Sequence, residues 1–401
     1  MYNSKNDESL LVAAYNICLE KFNCHIELYG DVTEPYELSL MCKNGNYYKE
    51  CEKQSFYFMY NWQTSFITGL APLFYKTEKN TKYLEWAQKF AAAYRKKVFD
   101  YPLETMHDIG FLYSPYSVSL YKITGSEIHK ETALKAADEL AKRFDLKGGY
   151  IDAWGKMNDD DRQGRAIIDC MMNISLLLWA WKESGHTFYR DIAVIHAETT
   201  KQYFIRDDFS VAHSFNFDRL TGDMIGENNG CGYENGSYWA RGGAWAAYGF
   251  AILARYTDKN YANLAEKIIE KYKDSLDGSY VPVWDFRLQK SEPARMCRTE
   301  GQEPLWDETD SNNCRFNVDT SAAAIMSCAL LELYSQTGNK EFYTFAENTL
   351  KTLCQEEFFN SNTKTPGILK KQNGQNVYTL FGDYFFSEGL QRLLFGTDTC
   401  W

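Results

Sequence analysis

The sequence predicts an all-α fold, an (α/α)6 barrel built from six helical hairpins. Two observations lead to this prediction. Helical periodicity recurs along the whole chain, and helices with one polar face alternate with helices that are apolar on every side. The connections alternate too, because short polar turns follow the apolar helices and longer segments lead back into them. A helix that is apolar on every side has to be enclosed, so we expect an inner ring of such helices within an amphipathic outer ring.

The periodicity predicts twelve helices, of which the first is amphipathic and the last is apolar. They cover residues 10–22, 64–76, 83–99, 110–123, 127–144, 167–183, 188–204, 238–256, 261–275, 319–336, 341–358 and 382–395. In the fifth helix, Ala133, Ala137 and Leu140 form an apolar stripe among charged residues, whereas residues 174–181 of the sixth are apolar throughout. Pairing the first helix with the last closes a ring of six hairpins.

The connections support a closed ring rather than a linear helical solenoid, in which repeats usually keep a constant length. Short polar turns, each a helix stop followed by a helix start, occupy residues 77–80, 124–126, 184–186, 257–260 and 337–339. The longer returning segments are 145–166, 205–237, 276–318 and 359–381. With eight prolines and no low-complexity run, we expect a single catalytic domain over residues 1–401.

Composition excludes several classes of protein. Of the 401 residues, 45% are hydrophobic, so a large core can form and intrinsic disorder is excluded. The net charge of −11 disfavours a nucleic-acid partner. No apolar run of about 18 residues predicts a membrane span, and the polar N-terminus does not resemble a secretory signal. The 11 scattered cysteines fit reduced thiols in a cytoplasmic protein better than a disulfide framework.

Polar residues gather where the apolar helices begin. In a barrel of this kind every long segment enters an inner helix at the same end, so these residues should converge on one cavity. They lie in residues 61–64, 106–108, 168–170, 239–241, 318–321 and 382–384.

Two aspartates in this set are candidates for acid–base chemistry. Asp108 precedes an apolar helix, where it is equally typical of an N-cap. Asp169 opens an enclosed helix, where a carboxylate is costly unless it has a partner. Burial beside another carboxylate would raise its pKa toward the range of a general acid. Asn173 lies one turn further on the same face, so a capping carboxylate with a buried amide partner remains the alternative.

Candidate ligand-binding residues surround these aspartates. Arg241 and Trp245 are four residues apart and share one face of an enclosed helix, where the arginine needs an anion and the tryptophan is a core residue or a sugar platform. His213 lies in a long loop. Trp62, Trp154 and Trp306 lie in or beside loops, a grouping that favours carbohydrate because sugar faces stack on aromatic rings. The spacing of histidines and acidic residues predicts no metal site, and we expect no cofactor.

At these residues the chain resembles the unsaturated glucuronyl hydrolases, glycoside hydrolase family 88. The most specific matches are His107-Asp108-Ile109-Gly110-Phe111 and Ile168-Asp169-Cys170-Met171-Met172-Asn173. Further matching segments lie at residues 61–65, 217–222, 239–242, 281–286, 319–324 and 382–385. The resemblance implies an (α/α)6 barrel that removes the 4,5-unsaturated uronic acid left by polysaccharide lyases at the non-reducing end of glycosaminoglycan and related oligosaccharides.

The resemblance also implies roles for individual residues. Asp169 would be the general acid and base and Asp108 its paired carboxylate, and the reaction would be hydration of the C4=C5 vinyl ether. Trp62, Trp154, His213, Arg241 and Trp245 would bind the sugar. Three positions depart from the family pattern, namely Gly243 and Cys231, where the family has Gln, and Phe381, where it favours Trp.

Three other functions remain as alternatives. The nearest is hydrolysis of unsaturated rhamnogalacturonyl oligosaccharides, as in glycoside hydrolase family 105. A sugar epimerase on the same barrel would use histidine pairs in the cavity, but two of the six histidines, His129 and His196, lie in outer helices. A carbohydrate-binding barrel without activity would not need a buried Asp169.

Overall fold

In a computed structural model, the described part of the chain consists of residues 4–35, 38, 41–43, 46–48, 62–157, 164–287, 318–372 and 377–401. It is predominantly helical. The helices, in chain order, are α1 (Ser4–Leu28), α2 (Thr64–Thr68), α3 (Leu70–Glu78), α4 (Thr81–Gln88), α5 (Ala91–Asp100), α6 (Ile109–Tyr113), α7 (Ser119–Thr124), α8 (Glu127–Ala141), α9 (Cys170–Asn173), α10 (Ser175–Ser184), α11 (Thr187–Phe204), α12 (Ala240–Tyr256), α13 (Asn260–Ser275), α14 (Thr320–Thr337), α15 (Lys340–Leu353) and α16 (Leu380–Phe395).

The predicted closed ring is confirmed. The inner helices contact one another in sequence, from α2 to α6, α9, α12, α14 and α16, and α16 in turn contacts α2. Their side chains are buried almost without exception, as the apolar pattern of each helix requires. The first helix, α1, lies against α16 and α15, so the first and last helices of the chain form the sixth hairpin.

The short turns between hairpin partners share one geometry. Gly125, Gly185 and Gly338 end their inner helices in the left-handed conformation, with φ between 67° and 76°. Glycine adopts this conformation without steric cost, and each of these residues donates its N–H to a carbonyl in the last helical turn. The chain therefore leaves each inner helix sharply and returns directly along the outside.

Some helices that the sequence predicts to be continuous are interrupted in the structure. The second inner helix contains a π-helical turn, Ser114–Val118, between α6 and α7, and Pro115 within it has no N–H to donate to the regular ladder. A Cβ on Gly69, at the junction of α2 and α3, would lie 2.7 Å from Pro115 Cβ, so these two interruptions fit each other. The predicted helix 341–358 ends earlier, at Leu353.

Short strands organise the long segments at one end of the barrel. The hairpin β3 (Phe144–Asp145) and β4 (Tyr150–Ile151) precedes a sheet of β5 (Gly164–Ile167), β6 (Ser214–Phe217) and β7 (Met224–Glu227), which joins the loops that precede α9 and α12. A further sheet pairs β1 (Met41–Lys43) with β2 (Asn46–Tyr48) and β8 (Tyr378–Thr379).

The two ends of the barrel are named here by the inner helices. The site end is the end at which the inner helices begin. The far end is the end at which they stop, together with residues 396–401, which fold back beneath the ring. Among the described residues, every helix is too short or too polar to cross a membrane.

Candidate active site

Asp108 and Asp169 are brought together by a close crossing of α6 and α9. A Cβ on Gly110 would lie 2.4 Å from Asn173 Cα, so only glycine allows the two helices to approach this closely. The Asn173 side chain then locks the crossing, because its Oδ1 accepts from Phe111 N at 2.7 Å and its Nδ2 donates to Asp169 O at 3.1 Å. Asn173 therefore holds the backbone of Asp169 rather than its carboxylate.

Asp108 occupies the N-cap position of α6, but its side chain makes no capping hydrogen bond. The N-cap interpretation of its carboxylate is therefore wrong. Burial, followed by the nearby charge of Asp169, raises the pKa of Asp108 to about 8, although the cations Arg143 and Lys97 oppose this shift. His107 Nε2 lies 3.2 Å from Asp108 Oδ1.

Asp169 is the second carboxyl with a raised pKa. Its Oδ1 atom is buried and has no hydrogen-bond partner among the described residues. Burial raises the pKa of Asp169 to about 7, and the positive charge of Arg241 moderates the shift. A carboxyl with this pKa is partly protonated at neutral pH and can donate or accept a proton there.

Two other aspartates begin inner helices, and both are fully engaged. Asp319 accepts from the backbone N–H groups of Ser321 and Ala322 and forms an ion pair with Arg241, 2.6 Å from Oδ2 to Nη1. Asp383 accepts from the N–H groups of Ile368 and Leu369, at 2.9 Å each. The contrast singles out Asp108 and Asp169 as the carboxyls that are free to act on a ligand.

Two neutral histidines flank the pair. Burial lowers the pKa of His213 to about 3, and burial together with Arg143 lowers the pKa of His107. Each ring accepts a backbone hydrogen bond at Nδ1, His213 from Cys231 N and His107 from Trp154 N, both at 3.3 Å. For His107 this contact places the proton on Nε2, whereas the His213 ring also forms a hydrogen bond with the Asn228 backbone. The Nε2 atoms of both rings are buried without a hydrogen-bond partner among the described residues.

Aromatic rings complete the site end. Trp62 stacks on Phe381, with 5.0 Å between ring centroids, and also contacts Phe111. The indole of Trp154 lies 6.2 Å from the His213 ring, and the Arg165 guanidinium lies 5.0 Å from the Trp154 ring centroid. Both tryptophans are partly exposed, as side chains that stack on a ligand must be.

Arg241 and Trp245 lie at different depths on α12. The Arg241 guanidinium, paired with Asp319, also lies over the rings of Trp239 and Phe381, at 4.6 and 5.2 Å. Trp245 is fully buried and packs against Phe111 and Phe385, at 5.1 and 5.3 Å. Arg241 thus borders the aspartate pair, whereas Trp245 lies beneath it.

This site belongs to a chain with clear relatives. The model of Glycosyl Hydrolase Family 88 matches residues 41–278. The unsaturated glucuronyl hydrolase of Bacillus sp. strain GL1 is 31% identical over 354 residues, which are 85% of this chain and 88% of that protein. The chain belongs to glycosyl hydrolase family 88. It is a glycoside hydrolase.

Other family 88 members agree in sequence and structure. The unsaturated chondroitin disaccharide hydrolase of Streptococcus pneumoniae is 30% identical over 82% of this chain and 81% of its own. The crystal structure of the Bacillus sp. GL1 enzyme matches with a TM-score of 0.80 and 28% identity, covering 96% of this chain and 97% of that one. The unsaturated glucuronyl hydrolase from Streptococcus agalactiae also matches with a TM-score of 0.80, at 27% identity, over 98% of this chain and 94% of that one.

The positions that depart from the family pattern differ in their relation to the site. Gly243 faces the ring of Tyr238, where a Cβ would lie 2.5 Å from the hydroxyl oxygen, so the missing side chain makes room for Tyr238. Cys231 lies near the carboxyl of Asp169, and burial raises the pKa of its thiol to about 12. Cys231 is therefore the departure that alters the surroundings of Asp169 directly.

Some residues of this family 88 site carry no distinctive signal in the sequence. Arg143 falls in the predicted charged helix 127–144 and Arg165 in the predicted returning segment 145–166, and only their contacts in the structure reveal them. His107 was visible beside Asp108, but its tautomer depends on Trp154, 47 positions away. Trp306, a predicted aromatic candidate, lies outside the described residues.

Proposed function

We propose that this family 88 enzyme removes a 4,5-unsaturated uronic acid from the non-reducing end of lyase-generated oligosaccharides by hydrating its C4=C5 bond. The observation that carries the proposal is the buried pair of Asp108 and Asp169, whose pKa values are raised to about 8 and about 7. Like charges and burial keep a proton on the pair near neutral pH, which is what protonation of a carbon requires.

In the proposed reaction, Asp169 donates its proton to C4, and positive charge develops at C5 and the ring oxygen. Water then adds to C5 and returns a proton to the Asp169 carboxylate. The resulting hemiketal opens by breaking the bond between C5 and the ring oxygen, which leaves a ketone at C5 and a hemiacetal at C1. The hemiacetal expels the aglycone, so the sugar is released without attack at the anomeric carbon, unlike ordinary glycoside hydrolysis.

We assign the neighbouring residues to the substrate. Trp62 and Trp154 would stack on the sugar rings, and His213 would form a hydrogen bond to the sugar through Nε2, which has no partner among the described residues. Arg241 would attract the uronate carboxylate while Asp319 holds its guanidinium in place. Trp245 would support the floor of the site through Phe111.

An acidic chain can still attract an anionic sugar at this end. The inner helices all begin at the site end, and helix N-termini carry partial positive charge. Arg165 and Arg241 add two cations near Trp154 and Asp169. The local field therefore favours a uronate although the chain as a whole carries a net charge of −11.

The relatives support a glycosaminoglycan-derived substrate. The Bacillus sp. GL1 structure is described as that of an enzyme responsible for glycosaminoglycan degradation, and the Streptococcus pneumoniae relative is named for unsaturated chondroitin disaccharide. A structure 28% identical to this chain holds dGlcA-Glc-Rha-Glc. We also propose a cytoplasmic location, supported by seven free thiols, those of Cys18, Cys24, Cys170, Cys231, Cys328, Cys354 and Cys400.

A panel of lyase-generated disaccharides, sulfated and unsulfated, tests the function. The loss of ultraviolet absorbance from the conjugated double bond should report turnover of unsaturated glucuronyl substrates. Unsaturated rhamnogalacturonyl disaccharide belongs in the same panel, and preferential turnover of it would replace the proposed substrate with the related one. In D2O, product isolated early should carry one deuterium at C4, because Asp169 exchanges its proton with solvent before transfer. Early product without C4 deuterium would contradict hydration.

A further inference from the structure

The Arg143 side chain lies just behind the catalytic pair, at the end of α8, and is almost completely buried. All three guanidinium nitrogens donate to backbone carbonyls. Nε donates to Asp152 O at 2.7 Å and Nη2 to Trp154 O at 2.7 Å, while Nη1 donates to Thr105 O at 2.8 Å and Gly155 O at 3.1 Å. One side chain thus ties together the segment before Asp108 and the loop that carries Trp154.

Trp154 itself is held in an unfavourable backbone conformation. Its φ of 54° lies in the left-handed region, which is sterically unfavourable for a residue other than glycine. Both of its backbone polar groups are engaged, since the carbonyl accepts from Arg143 Nη2 and the N–H donates to His107 Nδ1. The surrounding contacts therefore fix this residue in a conformation it would not adopt alone.

His107 carries the connection to the catalytic carboxyl. Because Nδ1 accepts from Trp154, the His107 proton is on Nε2, which lies 3.2 Å from Asp108 Oδ1. The two atoms are not aligned as a hydrogen bond in this structure. Such contacts in unliganded enzymes often align only when substrate binds.

We propose that Arg143 is a positioning residue that couples the sugar-stacking loop to Asp108. It fixes Thr105 on one side of the His107-Asp108 pair and Trp154 on the other, so a ligand that presses on the Trp154 indole acts on the His107 ring and the Asp108 carboxyl. Arg143 does not touch the substrate. The inference rests on the proposed function, since it deepens the assignment of Asp108 and Trp154.

The charges around Asp108 make its titration a sensitive indicator of this geometry. The titratable groups that influence it, or that it influences, come from four elements: Lys97 on α5, His107 before α6, Arg143 after α8, and Asp169 with Cys170 at α9. Replacing Arg143 by lysine keeps the formal charge but cannot serve four carbonyls with one nitrogen. Any change in the acid–base behaviour of the enzyme then reflects altered positions rather than a lost charge.

The test compares Arg143→Lys with Arg392→Lys. Arg392 is a matched control, because it is a buried arginine of the far end that pairs with Glu332 and donates to Tyr248 Oη and Cys328 O. For Arg143→Lys we expect kcat/KM to fall about tenfold to a hundredfold, with a raised KM and a shifted pH profile of kcat. Arg392→Lys should lower the melting temperature and leave KM and the pH profile unchanged.

A second measurement does not depend on turnover. In spectra of protein labelled with ¹⁵N-histidine, His107 of the wild type should appear neutral with the proton on Nε2, and Arg143→Lys should show a mixture of tautomers or a titrating ring. Arg143→Gln serves as a second variant if the lysine variant does not fold. Wild-type activity with an unchanged pH profile, KM and His107 spectrum in a folded Arg143 variant would overturn the positioning role alone.

The remaining outcomes distinguish failure of the proposed function from failure of the positioning role of Arg143. A wild type that leaves every unsaturated disaccharide intact would refute the proposed function, and the His107 spectra would still decide whether Arg143 controls that ring. If neither Arg143 variant folds, Arg143 has a purely structural role and the proposal fails.

Discussion

Buried carboxyls occur at both ends of the barrel, but their surroundings differ. At the site end, one oxygen of Asp169 has no partner in the part of the chain that the structure describes, and Asp108 faces it across the helix crossing. At the far end, Glu332 pairs with Arg255 and Arg392, at 2.9 and 2.8 Å. Burial raises the pKa of both aspartates, whereas for Glu332 the two guanidinium groups outweigh burial and lower its pKa.

At the far end, the buried carboxylates have hydrogen-bond and ion-pair partners, as expected of groups that contribute only to stability. Glu388 accepts from Tyr248 Oη, from Thr399 Oγ1 and, at 3.0 Å, from Trp401 Nε1. Cations also gather there, because Lys76, Lys122, Lys182, Arg255 and Arg392 each lie in the last turn of an inner helix. They complement the negative ends of the helix dipoles. Among the buried carboxyls of the two ends, a missing partner is therefore a property of the site end.

The largest expected effect is the loss of turnover in Asp169→Asn. An amide keeps the shape of the side chain but cannot donate a proton to carbon, so kcat should fall by about 10²–10⁴-fold while unsaturated disaccharide still binds. Initial rates from ultraviolet absorbance and binding by calorimetry measure the two quantities. A variant that keeps a tenth of the wild-type kcat would show that Asp169 is not the proton donor.

At the far end the expected effect is on stability instead. Arg392→Met removes one partner of the buried Glu332 carboxylate, which costs about 3–5 kcal/mol of unfolding free energy when a buried pair is broken. Because Arg255 still pairs with Glu332, we expect a value near the lower limit, measured by urea denaturation. Arg95→Met, at an exposed pair with Glu131, is the control and should cost less than about 1 kcal/mol. A loss of kcat in folded Arg392→Met would contradict the separation of the two ends.

Arg241→Lys probes the border of the site. Lysine keeps the charge but loses the planar fork, so it cannot hold both Asp319 and a uronate in the same geometry. We expect KM to rise about tenfold with a smaller change in kcat. Steady-state kinetics on an unsaturated disaccharide measure this, and an unchanged KM would mean that Arg241 serves only its ion pair with Asp319.

The smallest expected effect is a change in how the free energy of unfolding depends on pH. A carboxyl with a raised pKa in the folded state stabilises the fold below its unfolded pKa, and this contribution disappears as the pH rises through the folded value, about 7 for Asp169. Asp169→Asn should therefore gain stability relative to wild type as the pH rises from about 4, the ordinary pKa of an aspartate, to about 7, and the difference should level off above that.

Glu332 should behave in the opposite way, because its folded-state pKa is lowered. Its contribution is present above the unfolded pKa and is lost as the pH falls through the folded value. Melting temperatures of wild type, Asp169→Asn and Glu332→Gln from about pH 3 to about pH 8 would check both signs, because the Glu332 contribution changes only at the acidic end of that range. Parallel curves for the two variants would contradict the comparison.

The sequence was sufficient for the fold because each inner helix is apolar on every side and each outer helix is not. Periodicity placed all twelve predicted helices, and the contact of α1 with α16 followed from counting hairpins. The interruptions were not predictable in this way. The π-helical turn at Ser114–Val118 is coupled to Gly69 on a neighbouring helix, and such pairings between distant positions leave no periodic signal.

The candidate site, like the fold, was only partly predictable from the sequence. The sequence places Asp108, Asp169, Asp319 and Asp383 alike at the beginnings of apolar helices, and the cost of burying a carboxylate makes Asp169 a candidate. Their partners separate them, because Asp319 accepts from the first turn of its own helix and pairs with Arg241, and Asp383 accepts from backbone N–H groups of a nearby loop. Sequence can therefore list the buried acids of this barrel, but the partners that neutralise some of them depend on tertiary structure.

The position of the Trp401 side chain determines the route by which product can leave. Its indole lies inside the ring of helices, stacked on Phe385 at 5.7 Å and in edge contact with Phe111 at 5.9 Å, the residue that also contacts Trp62 and Trp245. Side chains thus fill the axis of the barrel behind the site, and the sugar product has to leave through the mouth by which the oligosaccharide arrived. Each oligosaccharide is then cleaved once in a single encounter, because the end left behind has no C4=C5 bond. The released sugar competes with the next oligosaccharide for the same opening.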